Sequence, residues 1–151
     1  IRVPTPINYI EPSVFSKKHN FKITNCSALK NYSVGIVRGV KHAELCTKGM
    51  DKVQVLNYST KMMELLDTDR VDVIITAKIN GLLLSKKMGL NSIYPLTPAL
   101  SKKMVYHYLH KKNQDLVSKI DKVFREMKES GELEMIREKA IKTLLKNTES
   151  K

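Results

Sequence analysis

The sequence predicts an α/β protein. A lobe with a parallel sheet and flanking helices occupies residues 13–98, and one strand and two helices follow without a partner of their own. Three observations carry this. Short β-rich runs alternate with helical stretches between residues 32 and 94, the order that gives a parallel sheet with helices on both faces. Prolines stand only at Pro4, Pro6, Pro12, Pro95 and Pro98. Because proline resists helices and central strands, the two groups mark extended crossings. Beyond Pro98 the pattern changes to two amphipathic helices.

The elements follow in order. Residues 32–37 (Tyr-Ser-Val-Gly-Ile-Val) form a β-rich run, Arg38-Gly39 a turn, and residues 40–48 a helical stretch stopped by Gly49. Residues 53–56 give a second strand. Ser59 has the chemistry of an N-cap for a helix carrying Met62, Met63, Leu65 and Leu66. Residues 71–75 are nearly all apolar, as a buried parallel strand requires. A helix over 79–88 ends at Gly89, and residues 92–94 make a fourth strand. After Pro98, residues 104–109 read as a strand. Leu116, Ile120, Val123, Phe124 and Met127 then lie on one helical face, Ser130-Gly131 breaks the run, and Leu133, Ile136, Ala140, Ile141, Leu144 and Leu145 define a last helix. One strand and two helices are too few to close a lobe.

Composition bounds the function. The 151 residues are 42% hydrophobic and 28% charged, the balance of a globular protein rather than a disordered one. The longest apolar runs, Val73-Ile74-Ile75 and Leu82-Leu83-Leu84, are far too short to cross a bilayer. The chain opens on Ile1 and shows no leader, so it is expected to begin inside a longer product. A net charge of +12 raises the question of nucleic acid. The charge is spread, however: residues 1–110 hold 16 basic and 7 acidic side chains (+9), and residues 111–151 hold 11 and 8 (+3). The lysine pairs do not interleave with aromatics as a stacking platform does, so they read as solvated surface and no nucleic-acid partner is expected. Cys26 and Cys46 match neither a zinc nor a CxxC pattern. They read as free or buried thiols, with pairing in an oxidising compartment left open.

Three segments stand in an order and spacing that resemble a known family: residues 29–39 (LKNYSVGIVRG), 66–75 (LDTDRVDVII) and 116–133, ending in KESGEL. The chain resembles the extracellular solute-binding proteins of family 3, the amino-acid-binding receptors of ABC transporters, over residues 1–136. The resemblance implies a periplasmic-binding-protein-like fold, two α/β lobes joined by two crossings with the ligand in a cleft between them. Residues 13–98 would be a complete second lobe, and residues 1–12 and 99–151 parts of the first, whose opening β-α-β-α-β portion is absent. It implies a periplasmic or extracellular location, no cofactor, and an ABC permease as partner. A sensory module of a signalling receptor is the alternative, and a basic nucleic-acid-binding protein the alternative of another class.

Ligands of open parallel sheets sit beyond the carboxyl ends of the strands. Two turns qualify. In Arg38-Gly39-Val40-Lys41, a helix start offers N–H groups to a carboxylate, Gly39 admits close approach, and Arg38 or Lys41 adds charge. The competing reading gives Gly39 only the strand-to-helix turn. The second is Thr76-Ala77-Lys78. The resemblance implies an aspartate for the ligand ammonium here, yet this sequence has Ala77, with Lys78 beside it. An α-amino acid is therefore a doubtful ligand, and a basic Lys78 favours an acidic or neutral solute unless it simply points into water. Elsewhere, His107 and His110 fall on opposite faces of a strand, and His42 with Cys46 lacks a third metal ligand. Asp67, Asp69 and Asp72 read as turn chemistry, Asp69 tolerating a left-handed backbone. With no nucleophile elbow, P-loop or HExxH, the chain reads as a binding protein rather than an enzyme. The strand edge at 104–109 and the apolar helix stripes predict a homodimer through residues 99–151.

Overall fold

The computed structural model describes residues 1–147. Its contacts divide the chain into two compact units, one of residues 11–102 and the other of residues 1–10 with 103–147.

The 11–102 unit is a five-stranded sheet between two apolar layers. Its strands are β2 (Pro12–Ser16), β3 (Val34–Val37), β4 (Val53–Leu56), β5 (Val73–Ala77) and the two-residue β6 (Tyr94–Pro95), in the spatial order β4-β3-β5-β2-β6. β3 runs parallel to β4 and β5. The alternation of side chains sorts the core into two faces. Val14, Val34, Ile36, Val73 and Ile75 point to one layer, closed by the 3₁₀ turn Cys26–Leu29 and helix α1 (Lys41–Cys46). Phe15 and Ile74 point to the other, closed by α2 (Ser59–Asp67) through Met62, Met63, Leu65 and Leu66, and by α3 (Lys78–Lys87) through Leu82 and Leu84. β5 is buried except for the half-buried Thr76, as its unbroken apolar run predicts.

Two expectations are corrected here, and one strand is added. The added strand is β2, unmarked in the sequence, which pairs antiparallel with β5 from Pro12↔Ala77 to Ser16↔Val73 beside the parallel β3, β4 and β5. The chain enters the unit on this strand from outside any βαβ crossover, so nothing forces it parallel. Ser59 is not a cap. Helical conformation already includes it, and the extended residue before α2 is Tyr58, whose carbonyl accepts the Met62 N–H at 3.2 Å. Finally, the cysteines are not free: Cys26 and Cys46 form a disulfide, with Cα atoms 5.3 Å apart. A separation of 20 residues says nothing about proximity; folding α1 onto the layer that the Cys26 turn also caps brings the sulfurs together.

The three aspartates around the α2–β5 turn meet three consecutive basic residues that follow β2. Lys17 bonds the Asp67 carboxylate at 3.1 Å, Lys18 that of Asp69 at 2.7 Å, and His19 Nε2 lies 3.4 Å from Asp72. Asp69 takes a left-handed backbone (φ 58°), which a short polar side chain tolerates. The Asp72 carboxylate also accepts the Ser33 N–H and hydroxyl, both at 2.7 Å.

The second unit pairs β1 (Arg2–Ile10) antiparallel with β7 (Lys103–Tyr108), with register shifts on either side of Pro6. Pro4 and Pro6 are thus accommodated in an irregular two-stranded ribbon. A 3₁₀ turn (Lys111–Leu116) leads into α4 (Val117–Glu129), and Gly131 (φ 80°) breaks the chain before α5 (Glu132–Asn147). The Thr5 N–H donates to Asp121 on α4 at 2.8 Å, and the Arg137 guanidinium of α5 lies 3.8 Å from the Tyr9 ring centre. Among its described residues only Val3 and Thr5 are buried, while Met104, Val105, Val123, Met135 and Ile136 are exposed.

Candidate functional site

All seven residues singled out in the two turns lie at one end of the 11–102 sheet. β3 and β5 are neighbouring parallel strands in which Val34 pairs with Val73 and Gly35 with Ile74, so both run toward the same end of the sheet. The turns that follow, 38–41 and 76–78, therefore lie at that same end, beyond the strand carboxyl ends.

The first turn is held from below. The Arg38 N–H donates to the Leu56 carbonyl at 2.8 Å and its Nε to Asn57 Oδ1 at 3.3 Å, which ties the ends of β3 and β4 together. Gly39 has φ 80°, where a side chain is strained, and a Cβ there would meet no atom within 4 Å; its requirement is conformational. Val40 precedes α1 and its carbonyl accepts the N–H groups of Ala43 and Glu44 at 2.9 and 3.0 Å. Lys41 is exposed. The Gly39 N–H, expected to be open to a ligand carboxylate, donates to Glu44 Oε1 at 2.7 Å. Glu44 and Asn57 were missed from sequence, although an acidic residue in the first turn of a helix is a standing signal for a bond to its free N–H groups.

In the second turn Thr76 is half-buried and Ala77 buried, paired with Ser13 and Pro12. The half-buried Lys78 opens α3, its N–H donating to the Glu11 carbonyl at 2.8 Å. Ala77 precedes this ten-residue helix without a side-chain cap. The surface thus carries the side chains of Arg38, Lys41 and Lys78, with the Glu44 carboxylate committed to Gly39.

The opposite end of the sheet holds Ser33, Asp72 and His19. The Ser33 hydroxyl and the imidazole each contact the Asp72 carboxylate, at 2.7 and 3.4 Å. Burial pushes the Asp72 carboxyl up, yet the Ser33 N–H, the Ser33 hydroxyl and His19 together hold it below the usual carboxylate range. His110 caps the 3₁₀ turn, accepting the Lys112 N–H at 3.2 Å, and His107 packs edge-on to Phe124, so the two do not form a pair on one strand. Cys46, spent in the disulfide, is unavailable to a metal beside His42.

No family profile matches the chain. An uncharacterised protein of Shewanella oneidensis is 28% identical over 93% of this chain, which spans 55% of that protein's length. Among solved structures, an ancestral arginine-binding protein bound to glutamine superposes with a TM-score of 0.62 at 26% identity, over 89% of this chain and 60% of its own. An amino acid ABC transporter substrate-binding protein, AbpA of Streptococcus pneumoniae, bound to L-arginine, gives 0.68 at 20% identity over 93% and 61%. A histidine kinase sensor domain with similarity to periplasmic binding proteins gives 0.66 at 17% over 91% and 62%. The chain has the fold of periplasmic solute-binding proteins. It spans little more than half the length of the proteins it resembles, and the resemblance noted in its three ordered segments thereby has a structural counterpart. In that fold, the two turns occupy the end of the sheet where α/β proteins present ligand contacts.

Proposed function

We propose that the chain binds a small solute at the turns 38–41 and 76–78, as part of a receptor for ABC-type uptake acting outside the cytoplasm. The observation that supports this reading is that both turns follow adjacent parallel strands at the same end of the sheet in a periplasmic-binding-protein fold. The disulfide supports an oxidising compartment, where such bonds persist. The solute is acidic or neutral: Ala77 offers no carboxylate to an ammonium group, and Arg38, Lys41 and Lys78 set a positive potential. Calorimetric titration of the chain with L-arginine, L-glutamine, small dicarboxylates and neutral sugars tests this. Micromolar binding of several α-amino acids would overturn the solute class; no heat from any solute would count against the binding reading itself. The likeness to a kinase sensor domain supports a second reading, the same module coupled to a signalling partner rather than a permease.

The exposed apolar side chains of β7, α4 and α5 support self-association as a homodimer through residues 99–151. Light scattering at micromolar concentration should return twice the 17.3 kDa chain mass, and a monomer would end this proposal.

A further inference from the structure

The turn carrying Arg38, Gly39 and Lys41 is joined to a helix too short to hold itself. α1 has six residues, whereas isolated helices below about 12–15 residues are marginal in water. Its inward face consists of Ala43 and Cys46, and Leu45 beside them is exposed. Val40 and Met50, flanking the helix, are only partly buried against the same layer. Thr47 closes its last turn by donating its hydroxyl to the Ala43 carbonyl at 2.9 Å.

Cys46, the last residue of α1, is bonded to Cys26, the first residue of the 3₁₀ turn Cys26–Leu29. That turn is anchored independently. Leu29 is fully buried, Asn25 Oδ1 accepts the Ser27 N–H at 2.9 Å, and the Leu29 carbonyl accepts the Tyr32 N–H at 3.0 Å. The loop closed by the bond contains β3 and the whole 38–41 turn. A crosslink between an anchored element and a marginal one removes open states of the marginal one.

We infer that the Cys26–Cys46 disulfide is a positioning device for the 38–41 turn: it holds α1 in place and thereby fixes Gly39 and Lys41 on the surface proposed to meet the solute. Cys26 and Cys46 are positioning residues, acting through α1. The consequence for solute binding rests on the function proposed above, but the positioning itself is measurable without any solute.

The experiment is amide hydrogen exchange on the full chain, oxidised and after reduction with a phosphine in native buffer, with the C26A/C46A variant as a second arm. The amides of Ala43, Glu44 and Thr47 should exchange at least about 10-fold faster after reduction, because open states of α1 that the tether excluded become accessible. Those of Val73, Ile74 and Ile75 in β5 should keep their rates. Unchanged protection of α1 overturns the inference. So does an equal loss over β5, which would make the bond a support of the whole sheet rather than of this turn. A solute found by calorimetry should then bind more weakly to the reduced protein; failure of that arm alone, with α1 loosened as expected, counts against the solute reading and leaves the positioning intact.

Discussion

Gly81→Ala isolates how tightly α3 is seated on the sheet. A Cβ built at Gly81 would lie 2.2, 2.4 and 2.8 Å from Cζ, Cε2 and Cε1 of Phe15, where carbon pairs settle at about 3.5–4.0 Å. The ring must retreat by more than 1 Å, and it has little room. Phe15 is fully buried, and its backbone pairs with Ile74 on one side and Pro95 on the other. Overpacking costs about 1–3 kcal/mol, and an overlap this deep against a ring this confined falls in the upper half of that range, about 2–3 kcal/mol. Replacing glycine by alanine in a helix returns about 1 kcal/mol, so a net loss of ~1–2 kcal/mol is expected, read from the midpoint of a urea titration. Phe15→Leu removes the ring atoms that clash and should cost less than about 1.5 kcal/mol alone. The double variant should therefore be more stable than the sum of the singles by at least ~1 kcal/mol. A Gly81→Ala protein as stable as the parent, or strict additivity in the Phe15→Leu background, would refute the reasoning.

Further outcomes follow from the same physics. Hydrogen bonding from Lys18 lowers the Asp69 carboxyl, and the Ser33 and His19 contacts lower that of Asp72 against burial. A carboxyl with a folded-state pKa below its unfolded value of about 3.9 stabilises the fold above that pH, and the contribution fades as pH falls through the lower value. Stability should therefore fall as pH drops below about 4, and Asp72→Asn should flatten that limb while lowering stability at pH 7. Ala77→Asp supplies the missing ammonium partner and should raise L-arginine affinity ~10- to 100-fold, one charge-assisted hydrogen bond's worth; an unchanged titration would count against Ala77 as the cause of poor amino-acid binding. Gly39→Val forces a branched side chain into φ 80° and should cost at least about 1 kcal/mol although the space is open, measurable by thermal unfolding.

Much of the sheet was legible because its signals are local. The strand expected at 53–56 is β4 residue for residue, and the run 71–75 reappears as β5 two residues later. Helix ends at Gly49, Gly89 and Gly131 carry positive φ angles, the role only glycine fills without strain. What stayed hidden was pairing at a distance. β2 has the composition of a strand, but its antiparallel place between β5 and β6 depends on where the chain enters the unit. The disulfide depends on α1 and the Cys26 turn sharing one face of the sheet, which no spacing rule encodes.

The aspartates show the same division at the level of single side chains. Sequence proximity placed Asp67, Asp69 and Asp72 in one turn and correctly made them turn chemistry, but their partners lie about fifty residues earlier, at Lys17, Lys18 and His19. Lys17 and Lys18, still part-exposed, thus link the chain after β2 to the α2–β5 turn. Because β2 is antiparallel to β5, the register that sets Ser16 against Val73 at that end puts Pro12 beside Ala77 at the other. The ion pairs at one end of the sheet and the 76–78 turn at the opposite end are therefore tied to a single strand alignment. A slip of one residue would turn Phe15 away from Gly81 and carry Pro12 away from Ala77 together.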